Sequence, residues 1–179
     1  MKNQVDAVKY KFGENIREII FGVEDGAIGN LGVVVGMIEG LAPTNLIILA
    51  GLATMFAQAI SMGAGNYLSV KSEKEYFAVP RKERKYGIAY SKHKNPVISS
   101  LVMSISVIIG AAIPLAVFLF TDATVGVAPF ISVTLAGLFF LGIVQSRYTL
   151  RNWLRSGVEI LIIGAFAALA GYVIGNVLG

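Results

Sequence analysis

From Leu46 to Val70 the chain carries no charged residue. Wound as a helix at about 1.5 Å per residue, such a run spans the roughly 30 Å hydrocarbon core of a bilayer, which takes about 20 apolar residues. One run of this kind could be a core helix of a large soluble protein, but this chain repeats it. Apolar runs of comparable length predict spans at about 19–41, 46–70, 97–120, 125–144 and 158–178. Pro43 and Asn45 separate the first two, and Pro114 is expected to kink the third. With 55% hydrophobic and 15% charged residues, and a mean hydropathy of +0.71, no soluble domain is left over. The reading is an all-α integral membrane protein, one five-span domain over 1–179. A single hydrophilic segment, 71–95, divides its second and third spans. The polar, mixed-charge start, "MKNQVDAVKYKFGENIRE", does not read as a signal peptide.

The basic residues sort by side. Lys2, Lys9, Lys11 and Arg17 precede the first span. Eight more, from Lys71 to Lys94, follow the second, and Arg147, Arg151 and Arg155 follow the fourth. A five-span path puts all 15 on one face of the membrane. The opposite connections, "EGLAPTN" and "TDATVG", hold only the acids Glu39 and Asp122. The positive-inside rule then predicts a cytoplasmic N-terminus and a C-terminus on the other side, at the plasma membrane if the cell is prokaryotic. The net charge of +4 is thus a topology signal, with lipid headgroups as the partner of the basic segment and no nucleic acid implied.

The absence of cysteine excludes disulfides and thiolate chemistry, and a single histidine, His93, excludes a multi-histidine cage. No phosphate loop, nucleophile–base constellation or zinc motif points to an enzyme. The chemistry lies in the acids of the first span. Glu14, Glu18, Asp25, Gly29, Gly32 and Gly36 recur at helical spacing on one stripe. A carboxylate at mid-membrane costs roughly 2.5–3.5 kcal/mol on insertion scales, so it is kept there for a reason. Glu24 is turned about 100° from Asp25 and is expected to meet a neighbouring span, at Asn66 or Thr54 for example. Gly22, Gly26, Gly32, Gly36 and Gly40 form small-xxx-small patterns that let two helix backbones approach, here assigned to two copies of the chain. In the second span Gln58, Met62, Asn66, Ser69 and Glu73 share a face. Alone, Met62 reads first as a packing residue; in a polar stripe the packing and ligand readings stand level, since its soft sulfur can favour transition cations over Ca²⁺ and Mg²⁺. Glu159 is expected to pair with Arg155 at i−4.

Three stretches, "REIIFGVEDG" (17–26), "AISMGAGNYLSVKSEKEY" (59–76) and "SGVEILIIGAFAALAGYVIG" (156–175), resemble the vacuolar iron transporter family, which includes the yeast calcium-sensitivity-complementing homologues. The resemblance covers nearly the whole chain. It implies a five-helix bundle that forms a homodimer through its first span, with the ion path at the interface. It implies export of Fe²⁺, and often Mn²⁺, from the cytoplasm in exchange for protons. It further implies Asp25 and Met62 as mid-membrane metal ligands, with Glu14 and Glu18 at the cytoplasmic mouth. The stripe on the second span adds Glu73 to that mouth. No cofactor is implied, since the metal is cargo. Departures from the family are the short basic segment in place of a glutamate-rich metal-binding domain, Thr54 where a glutamate is usual, and Glu24 where a small residue is usual. Other readings of the residues are a proton-coupled transporter of another small cation or solute, and a non-transporting membrane scaffold.

Overall fold

The computed structural model describes residues 15–77, 94–149 and 152–179. Among them are five helices: α1 (Ile16–Glu39), α2 (Thr44–Phe77), α3 (Pro96–Ala116), α4 (Ala128–Thr149) and α5 (Trp153–Leu178). Two short 3₁₀ turns, Val117–Leu119 and Ala123–Val125, lie between α3 and α4, and no strand occurs among the described residues. All five helices are long and apolar enough to cross a membrane.

Local chemistry sets the helix ends. At α3 the Asn95 side chain accepts from the backbone N–H groups of Val97 (2.9 Å) and Ile98 (3.4 Å), with Pro96 opening the helix. At α5 Asn152 accepts from the Leu154 N–H at 3.0 Å. Two helices outrun their apolar cores. α5 starts ahead of Val158 because Arg155 and Glu159 pair along it, Nε to Oε1 at 3.1 Å, as their spacing predicts. α2 continues past Val70, with Lys71 and Glu75 paired at 4.0 Å on its polar extension. Pro114 lies inside α3 near its C-terminal end, where the chain tightens into the 3₁₀ turn. α1 stops by its own hydrogen bonds. The Ala42 N–H donates to the Met37 carbonyl and the Leu41 N–H to that of Ile38. This closing pattern places Leu41, with φ 55°, in the left-handed region usually held by glycine.

α1 is the hub of the bundle. It touches each of the other four helices, and α3 and α5 most extensively. Its apolar residues are shared out accordingly. Ala27 meets Leu138 and Ile160, Leu31 and Val35 meet Ala168, and Val34 and Ile38 meet Ile47 and Phe130.

Glycines make these contacts close. A Cβ built on Gly26 would strike the Val107 carbonyl oxygen, and one on Gly110 the Val23 carbonyl oxygen, so α1 and α3 run backbone to backbone. On another side α1 meets α5 in register. A Cβ on Gly171 would strike the Gly32 carbonyl oxygen, one on Gly175 the Gly36 carbonyl oxygen, and one on Gly179 the Gly40 Cα. Gly22 lies by Met103 and Ser106 and Gly26 by Val107 and Ala111, so residue numbers rise together along the α3 seam as along the α5 seam, and α1, α3 and α5 run parallel. Along the α2–α3 seam they oppose, Gly51 lying by Leu115 and Gly63 by Ser104, so α2 is antiparallel to them. The glycine stripe that the sequence assigns to contact between two copies therefore meets a partner within one chain. The same path gathers Arg17, Lys71, Lys94, Arg147 and Arg155 at one end of the bundle, called the basic end below.

Candidate functional site

Along α1, one strip between α2 and α5 is only partly covered by the other helices. It begins at Phe21, 48% exposed, passes Asp25 and continues through Ile28, Gly29, Gly32 and Gly36. From Ile28 onward it floors an apolar groove of about 710 Å³, walled on the far side by Ala167, Gly171 and Gly175 of α5. Asp25 and Glu24 are both half-buried, and no ion pair among the described residues reaches either.

Asp25 can be placed against α2 by register. It stands one helical turn from Phe21 on one side and one turn from Gly29 on the other. Phe21 shares a cavity with Met62, and a Cβ built on Gly29 would collide with the Gln58 side-chain amide. Asp25 thus falls at the level of the Gln58–Met62 turn of α2. Along the α2 stripe, exposure rises toward the basic end. Gln58, Met62 and Asn66 are half-buried, and Ser69 and Glu73 are exposed. Asn66 does not turn to Glu24, since its amide donates to the Ser99 hydroxyl of α3 at 2.8 Å.

Glu18 has a different setting from Asp25, two turns away on nearly the same stripe. It is fully buried, and its Oε1 accepts from the Lys94 ammonium at 2.5 Å. Its other oxygen, Oε2, is buried with no partner. Lys94 is only 13% exposed, so this is an ion pair held away from water. Removing one member of such a pair costs about 3 kcal/mol, because the other charge stays buried alone. Lys94→Met is therefore expected to lower stability by about that amount. The double variant Lys94→Met/Glu18→Gln should recover most of the loss. Thermal unfolding in detergent measures both, and equal stabilities for the wild type and the single variant would contradict the assignment. Glu14, the remaining expected ligand on α1, lies outside the described residues.

Two further polar groups escaped the sequence reading. Asn30 is fully buried at mid-helix, and its Nδ2 donates to the Ala111 carbonyl of α3 at 2.8 Å. Its Oδ1, like the Oε1 of Gln58, is buried without a partner. The signal was present, since an amide inside "AIGNLGVVVG" is out of place unless it is satisfied or used. Lys94 was counted in the basic segment but had no assigned partner, because Glu18 is distant in sequence. Among the described residues no three His, Asp or Glu side chains converge as a metal cluster.

Comparisons with known proteins place the chain in a family. The VIT family model matches residues 16–90 and 81–176. Its two pieces meet in the segment joining α2 to α3. The vacuolar iron transporter 1 of Oryza sativa subsp. japonica is 29% identical over 211 residues, covering 89% of this chain and 84% of its own length. That alignment is longer than the 179-residue chain, so the rice protein carries residues that this chain lacks. An uncharacterised protein of Methanocaldococcus jannaschii is 31% identical over 160 residues, covering 84% of this chain and 83% of its own. Protein CCC1 of Saccharomyces cerevisiae is 22% identical over 223 residues, covering 92% and 69%. Matched over nearly its whole length, the chain belongs to the VIT family of membrane metal transporters.

Proposed function

We propose that this protein exports Fe²⁺, with Mn²⁺ as a second substrate, from the cytoplasm in exchange for protons. The path runs along α1 where two copies of the chain meet. The observation that carries the reading is Asp25, a half-buried carboxylate without an ion pair on the partly covered strip of α1. A charge facing lipid there is expensive. A second copy laid over the strip removes the lipid and brings a second Asp25 across the axis. Two carboxylates with the Met62 sulfurs then form a mixed oxygen–sulfur shell suited to a transition cation. The basic end faces the cytoplasm, by the positive-inside rule. Exposed Glu73, together with Glu14, draws cations to that side. Glu18 joins them when Lys94 gives way. A carboxylate released by the metal can take up a proton, which supplies the exchange. The names of the rice and other plant relatives support iron as the cargo.

The test is uptake of Fe²⁺ and Mn²⁺ by proteoliposomes, with and without a pH gradient. Metal-dependent uptake that speeds up against an opposing proton gradient is the expected result. Uptake of neither ion refutes the transport reading, and uptake indifferent to pH refutes the exchange. The dimer has its own check. The chain has no native cysteine, so Ile28→Cys introduces a single one on the partly covered strip. It is expected to cross-link two copies in membranes, whereas Ile109→Cys, on the exposed face of α3, should not. The reverse pattern would place the interface elsewhere.

A further inference from the structure

Two hydrogen bonds tie α2 to α3. The Ser104 hydroxyl donates to the Ala59 carbonyl at 2.8 Å, and the Asn66 amide donates to Ser99 at 2.8 Å. Between these ties, one methionine from each helix faces the seam. Met103 of α3 is 4% exposed and belongs to a cluster with Ala59 and Val107, against which Met62 of α2 packs. Both methionines line one cavity of about 230 Å³, together with Arg17, Phe21, Asn66 and Ser69. That volume holds a cation with several waters, each occupying about 30 Å³ of liquid.

The donor set is unusual for a cation path. Because the Asn66 nitrogen is committed to Ser99, its carbonyl oxygen is the end left to act as a ligand. The Ser69 hydroxyl adds a second neutral oxygen, and the two thioethers add soft sulfur. No carboxylate lines the cavity among the described residues. Such a set has little to offer Ca²⁺ or Mg²⁺, which take harder oxygen shells, and more to offer softer cations.

We infer that Met103 is a second soft ligand, supplied by the same protomer as Met62, and that the pair is a selectivity stop on the way to Asp25. This rests on the transport reading above. Arg17 at the cavity works against any cation held there. That keeps the stop weak, as a site must be if ions are to leave it again. It differs from the pair of Met62 sulfurs across a dimer axis because it is complete within one chain.

Met103→Leu nearly conserves volume and is expected to fold. Cd²⁺ serves as the soft probe. In proteoliposomes, Met103→Leu should weaken Cd²⁺ inhibition of Fe²⁺ uptake about tenfold, the low end for disturbing a metal's surroundings. Ca²⁺ inhibition should not change. Direct Cd²⁺ binding to detergent-solubilised protein by calorimetry should weaken in parallel. If Met62→Leu loses Cd²⁺ sensitivity and Met103→Leu keeps it, Met103 is only a packing residue and the inference fails. Should the wild type move no metal, the transport reading fails by itself. The calorimetric comparison still decides whether Met103 binds the ion.

Discussion

Asp25→Asn protein, recovered as the same folded species as the wild type, should carry no Fe²⁺ into liposomes above the level of protein-free vesicles. The substitution keeps size and hydrogen-bonding capacity, and removes the charge. With no ion pair at Asp25 among the described residues, no structural partner is orphaned by the change, so stability should hold. On the proposed path, the change removes the anion that would compensate a desolvated divalent cation. Glu24→Gln is the matched control. It neutralises the adjacent acid, about 100° around the helix, and should reduce uptake modestly at most. Uptake that survives Asp25→Asn but vanishes in Glu24→Gln would transfer the role to the neighbouring residue.

Gly175→Leu is expected to yield no folded protein, and Gly26→Leu likewise. A Cβ at either position already overlaps a backbone carbonyl, that of Gly36 for Gly175 and that of Val107 for Gly26. A flexible side chain could yield; the backbone of a helix gripped on several faces cannot. Overpacking of a tight core typically costs 1–3 kcal/mol, and separating two helices along a whole seam exceeds that. Gly32→Ala gives the contrast. Its nearest neighbour would be the Ala167 carbonyl at 3.6 Å, an ordinary contact, so this variant should be recovered at wild-type yield. Size-exclusion profiles of the three variants decide the matter. Monodisperse Gly175→Leu would mean that α1 and α5 are not closely apposed.

The five helices were legible in the sequence because a bilayer imposes one demand on any segment that crosses it, sustained apolarity over a fixed length. Their ends were less so. Hydropathy stops at the first charges, Lys71 and Arg155, while the helices run on through i,i+4 pairs that stabilise polar turns. The glycines illustrate a different limit. Their spacing correctly announced that backbones come close, but a small-xxx-small pattern carries no label for the partner. Gly32 and Gly36 proved to face Gly171 and Gly175, glycines that the sequence reading had passed over. Acids were recognised because charge in an apolar run is conspicuous. The partner of Glu18 was not, since Lys94 sat among many similar cations and only the tertiary fold selects it.

The two glycine seams also bear on how a transport cycle can move. α1 is wedged on one side against the α3 backbone and on another against that of α5, with carbonyl oxygens seated where side chains would otherwise act as bearings. A helix meshed in this way cannot roll about its axis or slide by a turn without unmeshing both seams together. α1, α3 and α5 therefore behave as a single stator. Any rearrangement that accompanies transport has to leave both seams closed, so Asp25 keeps its place relative to α3 and α5.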